Sequence, residues 1–73
     1  GIIQSQADDL LKQAKDKGLD TTDCVVLIDD AKEYLSMAER FFLTGNYIAT
    51  KNYALKALQK FKDAVQCLEE LLG

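Results

Sequence analysis

The chain has 73 residues, twelve acids against nine bases, a net charge of −3, no proline and no histidine. A chain this short holds one domain, residues 1–73, and its core needs a staple, a partner subunit or very regular helix packing. The acidic balance excludes nucleic acid as a partner, because that affinity rests on many Lys/Arg–phosphate contacts. Apolar runs are too short for a membrane span, and the opening residues do not form a basic-then-apolar leader.

The first predicted helix covers about residues 3–17. Ile3, Ala7, Leu10, Leu11 and Ala14 recur at the three-and-four spacing of one helix face. Gly18 follows where a left-handed C-terminal cap is needed, and Lys15 and Lys17 suit the negative end of the helix dipole. A connector then leads into a second helix over about residues 22–44. Asp20 or Thr22 can accept hydrogen bonds from its unpaired amides, and Asp23 lies at its positive end.

This second helix carries two stripes. Ile28, Ala31, Leu35, Ala38 and Phe42 form the core stripe, while Leu27, Tyr34 and Phe41 run beside it at seven-residue intervals. One stripe suffices for a two-helix seam, so the second needs another cover. The first helix of the chain is the favoured cover. Left open, Leu27, Tyr34 and Phe41 become the candidate interaction face for an amphipathic partner helix.

Gly45 and Asn46 mark the hairpin turn: glycine ends one helix and asparagine caps the next. The third helix covers about residues 46–72. Its stripe is Ala54, Ala57, Phe61, Ala64, Leu68 and Leu71, flanked by Leu55, Leu58, Val65 and Leu72. A connection this short forces an antiparallel hairpin. Residues at one level of such a hairpin have numbers with a constant total. Ile28 with Ala64, Ala31 with Phe61, Leu35 with Ala57 and Ala38 with Ala54 all give 92, so large residues face small ones, as close packing prefers. The same register sets Asp30 near Lys62, Glu33 near Lys60 and Glu39 near Lys51. The expected fold class is all-α, a three-helix up-down-up bundle whose first helix is the shortest.

Cys24 and Cys67 fall at nearly one level, at the open end of the hairpin. A disulfide there would tie the helix ends together and imply an oxidising compartment, outside the cell or at its surface, or else a hyperthermophile's interior. The alternative is two reduced cysteines packed as small apolar residues in a cytoplasmic protein, since equal level does not fix equal direction. Two cysteines without histidine are too few for a structural zinc, so neither metal nor cofactor is expected.

Nothing in the residues sets up catalysis. Without histidine the usual proton carrier near neutral pH is missing; neither Ser5 nor Ser36 has a base beside it in a triad-like pattern. Cys24, near a helix N-terminus, lacks any further activating motif. The doublets Asp29-Asp30 and Glu69-Glu70 read as solvated helix faces, since adjacent helical side chains diverge. Lys51, Lys56, Lys60 and Lys62 read as a charge match to the acids of the second helix, with an anion-binding face as the sharper alternative. The sequence therefore points away from an enzyme and toward a helical structural or assembly module acting on a protein partner or on itself. A helical adaptor with a peptide-binding groove is the alternative.

Tyr34, Ala38, Phe42, Gly45, Asn46, Tyr47, Tyr53, Ala57 and Leu58, set around the segment GNYIATKNYALKAL, resemble a single tetratricopeptide-like helical hairpin. Thr50 stands where that family has a small alanine, and no proline closes the unit after Leu58. The turn is also similar to that of the microtubule-interacting and transport domain, a resemblance that implies a groove for a partner helix. In that family the extra helix follows the hairpin, whereas here it precedes it. Hairpins of this style resemble helical segments of archaeal surface and secreted proteins, which would suit a spacer, stalk or filament subunit.

Overall fold

The computed structural model describes residues 1–73. It contains three helices, α1 (Ile2–Asp16), α2 (Thr22–Leu43) and α3 (Tyr47–Leu72), in an up-down-up arrangement. The expected ends hold to within a residue. All backbone φ values are negative except at Gly18 (74°) and Gly45 (81°), the two residues on which the helix stops depend.

Both stops are Schellman caps. After α1, the Gly18 amide donates to the Lys15 carbonyl and the Leu19 amide to the Ala14 carbonyl. After α2, the Gly45 amide donates to the Phe42 carbonyl and the Asn46 amide to the Phe41 carbonyl. Each cap satisfies carbonyls that a helix end would leave unpaired, and each needs one residue in the left-handed region, where glycine has no Cβ to clash. Asn46 serves both helices of the hairpin: its amide closes α2, and its side-chain oxygen accepts from the Ala49 amide at 3.1 Å to cap α3.

The start of α2 is held by Asp20. Its carboxylate accepts from the Thr22 hydroxyl at 2.6 Å and the Thr22 amide at 3.1 Å. These two bonds hold the Asp20 carboxyl below its ordinary value of 3.8, the hydroxyl bond contributing most. Thr21, the residue directly before α2, is buried but makes no side-chain capping bond.

The core lies at the open end of the hairpin. Ala7 and Ala14 of α1, Cys24, Ile28 and Ala31 of α2, and Phe61, Ala64, Val65 and Leu68 of α3 form one buried cluster. Alanines at the contact points let the helix axes approach closely, while Phe61, Ile28 and Leu68 fill the space between layers. Cys24 within it and half-buried Cys67 at its edge stand with their sulfurs at disulfide-bonding distance and their α-carbons 5.6 Å apart, as the shared hairpin level allowed.

The molecule is a rod, 44 × 19 × 14 Å. At 1.5 Å per residue, α2 and α3 are about 33 and 39 Å long but α1 only about 22 Å, so α1 leaves the turn end of the hairpin bare. It packs chiefly along α3. Two residues depart from the expected stripes. Phe42 is 59% exposed because α1 stops short of its level, and Ala54, which only the first residues of the chain reach, is exposed too.

The cross-helix charge matches also fail to form as hydrogen bonds. Other acids bond within α3, where Asp63 accepts from Gln59 and Glu70 from Gln66. Exposed pairs of this kind are worth only ~0.2–1 kcal/mol, too little to order two long side chains.

Candidate functional site

The first candidate, the stripe Leu27, Tyr34 and Phe41, is half-buried along its whole length. Its aromatic members are covered from α3. The Tyr53 ring stacks on Phe41 with centroids 5.4 Å apart and lies 6.1 Å from Tyr34. Lys56 extends over the same pair of tyrosines, its Nζ 5.3 Å from the Tyr53 centroid and 5.8 Å from that of Tyr34. A cation over an aromatic face at an exposed site is worth ~0.5–1 kcal/mol. Lys56 therefore serves an aromatic seam within the hairpin.

The first helix, expected as the cover of that stripe, lies on the opposite flank. Gly1, Ile3 and Gln4 share a cleft with Leu35, Ala54, Ala57, Leu58 and Phe61. Tyr34 and Leu35 are adjacent in α2 and point about 100° apart, so a helix seated against Leu35 cannot also lie over Tyr34.

Beyond α1 the same flank continues as an uncovered groove of about 460 Å³, lined by Leu35, Ala38, Glu39, Phe42, Leu43, Thr50 and Ala54. Glu39 is its one charged side chain. The groove opens onto the hairpin turn, where large apolar residues stand in solvent: Leu43 is 83% exposed, Ile48 79% and Tyr47 66%. Tyr47 keeps one contact, a tilted approach of 5.8 Å to the Phe42 ring. Exposed apolar groups gathered in one place are a common feature of interaction surfaces. Residue spacing could not reveal it, because Phe42 follows a core pattern and only the shortness of α1 turns it outward.

The staple end has a different character. Cys24 and Cys67 border a smaller cleft with Asp20, Asp23, Glu70 and Leu71. The carboxylates here face solvent, and Cys24 itself is 1% exposed. No group of three or more His, Cys, Asp or Glu side chains is placed to hold a metal ion. No helix is long and apolar enough to cross a membrane.

Comparison with protein-family models, with curated proteins and with solved structures finds no match to this chain.

Proposed function

We propose that this chain is a non-catalytic helical assembly module, a structural unit such as a spacer, stalk or filament subunit of an extracellular or cell-surface system. One observation carries the reading: the rod has two unlike ends. The end built around Cys24 and Cys67 has a packed core and a rim of carboxylates. The other presents Phe42, Leu43, Tyr47 and Ile48 to solvent. A rigid hairpin with an apolar end suits docking to protein, and the cysteine pair suits an oxidising compartment.

The test is an intact mass of the isolated chain, before and after reduction, with thiol alkylation. A chain two hydrogens lighter before reduction and inert to alkylation supports the reading. Two cysteines that alkylate freely in the natively isolated chain sink its extracellular part.

The second reading is a helical adaptor, favoured by the open groove between Leu35 and Leu43. There an amphipathic helix would continue the line of α1, which already rests on the same flank of the hairpin. This is also the mode that the hairpin's resemblance to microtubule-interacting and transport domains implies. The two readings part on whether the tip binds another copy of this chain or only a foreign helix.

A further inference from the structure

The rod is polar in charge as well as in hydrophobicity. Between Ser36 and Leu58, the half that holds the turn, the charged side chains are Glu39, Arg40, Lys51 and Lys56, a net +2. The chain as a whole carries −3, so the rest carries −5. At the staple end the acids Asp16, Asp20, Asp23, Glu69 and Glu70 outnumber the bases Lys15 and Lys17. The apolar, basic tip and the acidic staple end lie at opposite extremes of a 44 Å axis.

We propose that the tip docks onto the staple end of a second copy of the same chain, head to tail. The proposal rests on the assembly reading and names its partner. Leu43, Tyr47 and Ile48 would meet Leu71, which is 39% exposed beside the cleft rimmed by Asp20, Asp23 and Glu70. Arg40 and Lys51 would then approach those carboxylates.

Charge decides the orientation. A tip-to-tip pair would set Arg40 and Lys51 of one copy against the same residues of the other, and a staple-to-staple pair would oppose acids to acids. Like charges across an interface are costly, whereas opposite ends attract and steer. Only the head-to-tail order alternates the sign. Because the two surfaces lie at opposite ends of a rod, the contact is heterologous and does not close, so it propagates into a chain.

The end face is small. With a cross-section of 19 × 14 Å, it falls below the ~800 Å² per partner of a standard stable interface. The contact is therefore weak and concentration-dependent, and its charge component is screened as the Debye length falls from ~30 Å at 0.01 M salt to ~3 Å at 1 M.

The experiment is sedimentation of the oxidised full chain from micromolar to millimolar concentration, at low and high salt, with two double variants. The tip variant combines Ile48→Asp with Lys51→Glu, and the staple-end variant combines Asp23→Lys with Glu70→Lys. Helical circular dichroism establishes that both are folded. The wild-type average mass should rise above 8.1 kDa with concentration and fall back in high salt. Each variant alone should stay at the monomer mass. Their equimolar mixture should again rise above the monomer mass, because one intact tip meets one intact staple end and the reversed charges at the other contact are once more opposite in sign.

Loss of association in the tip variant but not in the staple-end variant would overturn the head-to-tail order. A wild-type chain that stays monomeric at every concentration would overturn the second copy as partner. Neither result decides the extracellular part of the assembly reading, which fails separately, on free thiols in the mass measurement.

Discussion

Reduction of the Cys24–Cys67 pair should lower the melting temperature by about 25 °C. The two residues are 43 apart in sequence, and closing a loop of that length in the unfolded chain removes entropy worth ~4 kcal/mol at 25 °C. Unfolding entropy near ~2.1 cal/mol/K per residue gives ~0.15 kcal/mol/K for this chain, and the ratio of the two sets the shift. Against a total stability of roughly 4–11 kcal/mol expected for this length, the staple is a large share. Little opposes it on the native side. Cys24 is 1% exposed among apolar neighbours, and a buried thiol behaves as a small hydrophobe. Parallel thermal melts by far-UV circular dichroism, on oxidised chain and on chain held reduced, give the number directly. A shift below about 5 °C, with alkylation showing both thiols free, would refute loop closure as the source of stability. The unfolded chain would then already hold the two helix ends together.

Three further outcomes follow from named contacts. Ala64→Leu should cost ~1–3 kcal/mol, since Ala64 is 0% exposed in the core. Ala38→Leu should cost clearly less, because Ala38 borders the open groove and the longer side chain can extend into it; equal costs in urea titrations would mean the groove is filled. Asn46→Ala should destabilise by ~0.5–2 kcal/mol through loss of the bond to the Ala49 amide, read by chemical denaturation; an unchanged midpoint removes that role. Asp20 predicts an acid limb. Its carboxyl is held below 3.8 by Thr22, so the folded state favours the ionised form. The stability this contributes is complete above pH 3.8 and is lost as the pH falls further. The stability gap between the wild type and Asp20→Asn should therefore narrow in acid, and a gap constant across that range counts against the capping bond.

Local chemistry in the sequence determined the helices and their ends. Gly18 and Gly45 stop α1 and α2 because a Schellman cap needs a left-handed residue, and both positions have positive φ. A three-residue connection, Thr44, Gly45 and Asn46, leaves α3 no course except back along α2. That constraint alone put Cys24 level with Cys67, and their α-carbons are 5.6 Å apart. Tertiary structure decided which flank α1 would take. Periodicity shows that a face is apolar but not what covers it. The stripes of Tyr34 and Leu35 lie side by side on one helix, and Tyr53 and Lys56 from α3 close over the first. The flank left for α1 is the one lined by Leu35 and Phe61. Phe42 has the spacing of a core residue, yet it is 59% exposed because fifteen residues of α1 do not reach its level. Burial depends on what lies across the gap, and that neighbour is set by the length and docking of a helix distant in sequence.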